Sequence, residues 1–373
     1  MNTGLFVILL FVLFFLLLFA STPIGVSLGI TCLVAILFFP NKPFSPAFFY
    51  QSMVAGFDTF TLLAIPLFVL SGIIMARGGI SKRLFNFFGF FLGGIPGGLP
   101  MCVVVTCLFY GAISGSAPAT TAAVGAMAIP ILLEAGYDKK FTVALVAIAG
   151  GLGVIIPPSV PFILYSQSAN VSTGDMFLAG IIPGLLIALG LCAYCFVYCK
   201  IEAKKNGVGS SFTAFYREMH KNGFWKGLWD VFKKGFFALL CPVIILGGIY
   251  GGIMTPTEAA AISVIYAAIV SAFIYKTLDL KGMIDCVKES IGSIAPAMLV
   301  LGCASIFARV LAMTQVPKLL TDLVLGFTDS RFVVLLIINV ILLIAGMFID
   351  SIAAILIFTP ILLPLAQAVG VDG

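Results

Sequence analysis

The chain alternates long apolar runs with short polar segments, and this pattern predicts its membrane-spanning helices. Apolar runs cover residues 5–20, 24–39, 61–76 and 176–198, and a run of roughly twenty apolar residues can cross a bilayer as a helix. Residues 48–60 mix apolar and polar positions, which is typical of an amphipathic arm at the membrane interface. Charged residues make up only 9% of the chain, against about a quarter in soluble domains. We therefore predict an all-α membrane protein.

The segment from Gly111 to Pro161 is as apolar as its neighbours but is rich in Ser, Thr, Gly and Pro. Irregular backbone within a bilayer must be buried in protein or line a water-filled cavity. A first break is predicted at Ser114, Gly115, Ser116, Pro118, Thr120 and Thr121, and a second at Gly150, Gly151, Gly153, Pro157 and Pro158. We expect a re-entrant hairpin over about 101–138 and a broken spanning helix over 141–165. The alternative is a pair of Pro kinks with small residues for close helix packing.

Basic residues predict the orientation, because cytoplasmic loops of membrane proteins carry an excess of Lys and Arg. If the N-terminus is outside, sixteen of the twenty basic residues fall inside. Eight of these lie in the linker 200–235, which also holds both tryptophans. Trp225 and Trp229 recur at helical spacing among Phe224, Leu228 and Phe232, so we predict an interfacial helix there. A polybasic regulatory site is the alternative for this linker.

Weak matches recur along the chain at nearly one offset. Thr22-Pro23, Pro66 with Gly72, Lys82 with Leu84, and Pro130 with Gly136 recur as Thr255-Pro256, Pro296 with Gly302, Lys318 with Leu320, and Pro364 with Gly370. The first copy holds an odd number of crossings, so the second enters the membrane from the opposite side, as in the inverted repeats of secondary transporters. We assign residues 1–199 to the first repeat and 236–373 to a second repeat that stops after its hairpin. The offset predicts a further stretch of about sixty residues, equivalent to 141–200.

Ionisable residues within membrane segments are costly and usually functional. Asp350 lies at the turn of the second predicted hairpin, where it could bind a cation, cap the helix that starts at Ser351, or do both. Glu258 is expected in the first turn of a helix. Arg309 ends a crossing and is interpreted as a snorkelling residue, with a substrate clamp as the alternative. Cys192, Cys195 and Cys199 have no nearby His or carboxylate and are interpreted as packing residues.

The sequence favours a transporter over an enzyme. His220 lies in the linker, far from any buried Ser or Cys, and AISGSA has Ala112 where the serine motif of intramembrane proteases has glycine. The chain has no Gly-rich phosphate loop with Lys. Hydroxyls and carbonyls at the first break suit a hard cation, whereas the carboxylates nearest to it, Glu134 and Asp138, lie near the cytosolic end. Sodium is therefore the expected coupling ion, and no other cofactor is expected.

Three motifs, GAISGSAPATTAAVGAMAIP, GGLGVIIPPSVPFILY and GMFIDSIAAILIFTPILLP, resemble the large membrane subunit of tripartite ATP-independent periplasmic (TRAP) transporters. The resemblance covers essentially the whole chain. It implies a sodium-driven elevator mechanism that imports an organic acid, commonly a C4-dicarboxylate or sialic acid. It also implies a small four-helix membrane subunit, a periplasmic binding protein, and a multi-pass location in the bacterial inner membrane with the N-terminus in the periplasm. No nucleic acid partner is expected.

The same resemblance implies the residues of the site. Sodium is expected at Ser114 and Ser116 with carbonyls around Gly153, Ile156 and Pro158, and a second sodium site is expected at Asp350. Substrate contacts are expected at Thr120, Thr121, Ser159 and Ser351. Two alternatives remain at this point. One is a sodium-coupled dicarboxylate carrier of the same superfamily that needs no binding protein, and the other is a membrane scaffold subunit that transports nothing.

Overall fold

The computed structural model describes residues 3–38, 45–206, 223–328 and 330–371, and it is helical with no strand in these ranges. The first ten helices are α1 (Thr3–Phe19), α2 (Ile24–Phe38), α3 (Pro46–Phe57), α4 (Ala64–Arg77), α5 (Ile80–Leu92), α6 (Gly98–Ser114), α7 (Ala117–Glu134), α8 (Lys139–Gly150), α9 (Val160–Ala169) and α10 (Thr173–Asn206). The remaining helices are α11 (Phe224–Tyr250), α12 (Pro256–Ile269), α13 (Leu280–Met313), α14 (Val316–Leu325), α15 (Arg331–Gly346) and α16 (Ser351–Ala368). Short 3-10 turns at Phe60–Leu63 and Gly151–Val154 and a π-helical turn at Val270–Ile274 connect some of them.

Seven helical stretches among the described residues are long and apolar enough to cross a membrane, which confirms the prediction of an α-helical membrane protein. They are Phe60–Arg77, Ala117–Glu134, Thr173–Ile201, Phe224–Tyr250, Pro256–Ile274, Leu280–Met313 and Ser351–Ala368. The arms α6 and α15 are shorter apolar helices. The depth of the α6–α7 and α15–α16 pairs in a membrane therefore stays a prediction.

The helix boundaries differ from the predicted ones at the linker. Residues 224–235 are not a separate interfacial helix, because α11 runs without interruption from Phe224 to Tyr250. The aromatic spacing was correct, and Trp225 and Trp229 are both strongly exposed, but periodicity alone does not show where one helix stops. Residues 207–222, which include His220, lie outside the described residues.

The order of helices repeats along the chain. Helices α6 and α15 have 17 and 16 residues, and each is followed by an 18-residue helix with proline in its interior. Before each pair lies a short amphipathic helix, α5 or α14. This order agrees with the offsets of the sequence matches, while the inverted orientation of the two halves and the predicted domain limits remain predictions.

The chain divides into two compact units that do not follow these repeats. One unit comprises residues 63–162 and 173–291. In this unit α4 packs on α12, where Ala259, Ala260 and Ala267 are fully buried and allow the two backbones to lie close together. The α6–α7 hairpin packs against α5, α8, α10 and the 151–154 turn in the same unit.

The other unit comprises residues 1–62, 163–172 and 292–373. Here α1 packs on α2, and α14 packs on α16. Gly56 of α3 lies against Ser305 of α13, and Gly302 lies against Phe57. Arg309 is exposed beside this contact and donates to the Ser52 hydroxyl at 3.4 Å. Neither the snorkelling nor the clamp interpretation of Arg309 is tested by this contact.

Candidate functional site

The turn between α6 and α7 is built on a glycine in the left-handed region. Gly115 has φ +61° and ends α6, and its amide donates to the Gly111 carbonyl at 2.9 Å. A side chain at Gly115 would be strained by this φ, and its Cβ would lie 2.7 Å from the Pro158 carbonyl oxygen. The Val160 amide donates to the Gly115 carbonyl at 3.2 Å. The turn is therefore docked against the second break of the chain.

Two buried hydroxyls face each other at this turn. Ser114 and Thr120 are both 0% exposed, and their hydroxyl oxygens lie 2.9 Å apart. The Ser114 hydroxyl also lies 3.4 Å from the Ser116 carbonyl oxygen. Ser116 itself precedes α7 in an extended conformation, and its hydroxyl makes no capping hydrogen bond. Three oxygens from Ser114, Ser116 and Thr120 thus converge at one point.

The second break lies at residues 151–159, within the predicted broken helix 141–165. After the turn Gly151–Val154 the chain stays non-helical until Val160. Pro157 and Pro158 carry no N–H, so the carbonyls of Gly153 and Val154 lose their helical donors. The Ser159 hydroxyl donates to the Val154 carbonyl at 2.6 Å and accepts from the Phe162 amide at 3.4 Å. The Val154 carbonyl thus has a new hydrogen-bond donor. No such donor to the Gly153 carbonyl is found among the described residues.

Glycines bring the two breaks together. A Cβ at Gly153 would lie 2.8 Å from the Ser116 carbonyl oxygen and 2.9 Å from the Thr120 Cβ. A Cβ at Gly111 would lie 2.7 Å from the Gly153 Cα, and one at Gly150 would collide with the Thr121 side chain. Only residues without side chains allow this approach. We call Ser114, Ser116, Thr120 and Gly153 the tip site.

The tip site consists of neutral oxygens. Residues 111–133 and 141–174 contain no Asp, Glu, His, Lys or Arg. Asp138 lies between these segments, where it caps α8 by accepting from the Phe141 amide at 3.1 Å. Hydroxyls and carbonyls are ligands that suit a hard monovalent or divalent cation. The local chemistry therefore fits cation binding and offers no acid or base for covalent catalysis.

Not all of the residues predicted to bind sodium lie at the tip site. Ser114, Ser116 and Gly153 come together at the tip site, and the Pro158 carbonyl lies beside the turn at Gly115. Ile156 is 6% exposed, and its side chain packs towards Gly184 of α10; the atom predicted to bind sodium is its backbone carbonyl oxygen.

The residues predicted for substrate are more scattered. Thr120 lies with the sodium candidates beneath the turn, and Thr121 packs on Gly150. Ser159 is fully buried, and its hydroxyl bridges the break. Ser351 is the exposed first residue of α16 in the other compact unit.

Asp350 belongs to that other unit and caps α16. Its carboxylate accepts from the Ile352 amide at 3.2 Å, which confirms the predicted capping role, while the cation role stays a prediction. Glu258 likewise occupies the first turn of α12, in a capping box with Thr255. Both of these helix caps could be predicted from the sequence, because a cap depends on residues only two or three positions apart.

Two residues near the tip site were missed by sequence analysis. Tyr110 is fully buried, and its hydroxyl donates to the Gly72 carbonyl at 2.7 Å. A Cβ at Gly72 would lie 2.9 Å from the Ser114 Cβ. The only signal in the sequence was that Tyr110 and Ser114 are four residues apart, on one face of a helix.

Comparison with known proteins places these features in a family. The family model described as "Tripartite ATP-independent periplasmic transporter, DctM component" matches residues 11–373 of this chain. An isethionate TRAP transporter permease protein from Oleidesulfovibrio alaskensis is 42% identical over 363 residues, which are 97% of this chain and 55% of that protein. The chain therefore spans about half the length of this relative.

Two further relatives match at similar levels. A sialic acid TRAP transporter large permease protein from Vibrio cholerae is 38% identical over 95% of this chain and 80% of its own length. A C4-dicarboxylate TRAP transporter large permease protein from Pseudomonas aeruginosa is 38% identical over 93% of this chain and 78% of its own length. These relatives are named as permeases and not as enzymes. The chain belongs to the DctM component family of tripartite ATP-independent periplasmic transporters.

Proposed function

We propose that this chain is the large permease subunit of a sodium-coupled importer of organic acids. The observation that carries the proposal is the tip site, where the Ser116 carbonyl and the Thr120 hydroxyl lie against Gly153 and the Ser114 hydroxyl lies within 3.4 Å of both. Glycines at both breaks allow these oxygens to lie close together, because a Cβ at Gly111, Gly150 or Gly153 would collide with the opposing break. Family membership supports the same assignment.

Sodium is the proposed coupling ion because the tip site has nothing that titrates. A proton would need a carboxylate or imidazole, and the segments around the site contain neither. Sodium would be held by the hydroxyls of Ser114 and Thr120 and by carbonyls of Ser116 and Gly153. Asp350 is proposed as a ligand of a second sodium, beside its role as a cap of α16.

In the membrane, we assign α6–α7 and α15–α16 as re-entrant hairpins of an inverted repeat that works as an elevator. The positive-inside rule puts the N-terminus in the periplasm and the Lys-rich linker in the cytoplasm. The supporting observations are the matching helix order of the two halves and the break at residues 151–159. The inner membrane follows from the family's periplasmic partners.

The substrate class is a small organic anion. The relatives are named for isethionate, sialic acid and C4-dicarboxylates, which all carry a carboxylate or sulfonate group. Half-helix N-termini favour anions, and Ser351 is the first residue of α16. Thr121 lies in the second turn of α7. The proposed partners are a small membrane subunit and a periplasmic binding protein that delivers the substrate.

Reconstitution with imposed gradients tests the coupling ion. We expect uptake of a radiolabelled organic acid into proteoliposomes that hold the complete transporter when only a sodium gradient is imposed. A pH gradient of equal magnitude in sodium-free buffer should drive little uptake. Uptake that is driven equally well by the pH gradient without sodium contradicts sodium coupling at a site without titratable groups.

The same preparation separates the proposed function from its two alternatives. Omission of the binding protein should abolish uptake by a tripartite transporter, whereas a binding-protein-independent carrier would continue to transport. A scaffold subunit would show no uptake under any gradient, even with both partner proteins present. The panel of acids should include a sulfonate, a sialic acid and a C4-dicarboxylate, so that a wrong choice of substrate is not mistaken for inactivity.

A further inference from the structure

Tyr110 links the tip site to a neighbouring helix. It is fully buried in α6, one turn before Ser114, and its hydroxyl donates to the Gly72 carbonyl of α4 at 2.7 Å. A buried phenol needs a hydrogen-bond partner, and here that partner is the backbone of another helix. This bond joins residues that are 38 positions apart in sequence.

Ser114 contacts the same residue of α4. A Cβ built on Gly72 would lie 2.9 Å from the Cβ and 3.1 Å from the Cα of Ser114. Tyr110 and Ser114 are four residues apart, so they project from one face of α6. Gly72 therefore receives a hydrogen bond from one turn of α6 and a close van der Waals contact from the next.

The hydrogen bond from Tyr110 and the van der Waals contact from Ser114 constrain the position of α6 relative to α4 in different ways. The glycine contact sets how closely α6 and α4 can approach each other, because it is a van der Waals contact without a preferred direction. A hydrogen bond is directional and short-ranged, and so it fixes the position of α6 along the helix axis. The adjacent residue Gly111 packs on Gly153, and the same turn of α6 therefore faces both α4 and the second break.

We propose that Tyr110 is a positioning residue for the cation site, and the proposal rests on the function assigned above. Its hydrogen bond to Gly72 holds the end of α6 in register, which places the Ser114 hydroxyl 2.9 Å from the hydroxyl of Thr120, whose side chain lies against Gly153. Tyr110 does not contact the ion. It acts by keeping the oxygens of Ser114, Ser116 and Thr120 close enough together to share one cation.

Tyr110→Phe tests this role because it keeps the aromatic ring and removes only the hydroxyl. The matched control is Tyr266→Phe, since the Tyr266 hydroxyl donates to the Phe237 carbonyl, also at 2.7 Å, between α12 and α11 of the same unit. In proteoliposomes with the complete transporter, Tyr110→Phe should raise the half-activating sodium concentration about fivefold, as the loss of one hydrogen bond implies. Maximal uptake at saturating sodium should stay near wild type, and Tyr266→Phe should leave the sodium dependence unchanged.

Hydrogen exchange gives a second readout that needs no transport. In the purified protein, the backbone amides of residues 113–121 other than Pro118 should exchange faster in Tyr110→Phe than in wild type or Tyr266→Phe. Gly72→Ala, whose Cβ would push on Ser114, should produce the same local change with Tyr110 intact. If wild-type uptake proves independent of sodium, the proposed function fails, while the exchange of these amides still decides the positioning role. Unchanged exchange at 113–121 in Tyr110→Phe, or an equal change in Tyr266→Phe, overturns the assignment.

Discussion

At the scale of single residues, Ser114 and Ser116 look equivalent in sequence but have different surroundings at the tip site. Ser114 is fully buried and shares a hydrogen bond with Thr120, whereas Ser116 is half-buried and faces the Ser114 hydroxyl with its carbonyl. The two serines therefore contribute through different atoms. Only one of them should be sensitive to removal of its side chain.

We predict that Ser114→Ala raises the half-activating sodium concentration about tenfold, because it removes a ligand and leaves the buried Thr120 hydroxyl without this partner. Ser116→Ala should shift it much less, since the backbone carbonyl remains. Ser263→Ala is the control, because Ser263 is also buried and bonds only to Ala260 in its own helix among the partners recorded. Sodium titrations of uptake measure all three. Equal effects of Ser114→Ala and Ser116→Ala would refute the assignment of ligand atoms.

At the scale of elements, the contact between the hairpin turn and the second break depends on one glycine of the 151–154 turn. We predict that Gly153→Ala abolishes sodium-dependent uptake, because its Cβ would press on the Ser116 carbonyl and the Thr120 side chain. Gly151→Ala lies in the same turn with no atom within 4 Å of the added Cβ and should transport like wild type. Thermal unfolding in detergent should accompany the uptake assay. The hypothesis fails if Gly151→Ala is as inactive as Gly153→Ala.

Sequence patterns located both breaks because Gly and Pro act on the local backbone. The caps by Asp350 and Glu258 were predictable for the same reason. Thr120 was assigned to substrate from its place in a motif, and only the fold shows that its hydroxyl lies buried against Ser114. The Tyr110 contact with Gly72 and the continuous α11 depend on tertiary packing and helix propagation, which no local pattern reports.

At the scale of the whole molecule, two sodium sites would make uptake rise more steeply than linearly with external sodium. We predict that Asp350→Asn reduces this dependence to a simple hyperbola. Asn caps helices about as well as Asp, so the bond to the Ile352 amide should survive while the charge is lost. Asp138→Asn is the matched control, because Asp138 caps α8 in the same way. An unchanged Hill coefficient in Asp350→Asn would show that this carboxylate binds no coupling ion.

The absence of Asp, Glu, His, Lys and Arg from residues 111–133 and 141–174 also bears on how the membrane potential acts. Because the tip site supplies no counter-charge, the net charge that the loaded transporter moves is the sum of its proposed sodium ions, its anionic substrate and the Asp350 carboxylate. Each elementary charge that crosses a potential of about 100 mV gains about 2.3 kcal/mol. The membrane potential would therefore favour inward passage only where the bound sodium ions outnumber the negative charges that move with them, so the sodium-to-substrate ratio decides whether voltage drives uptake.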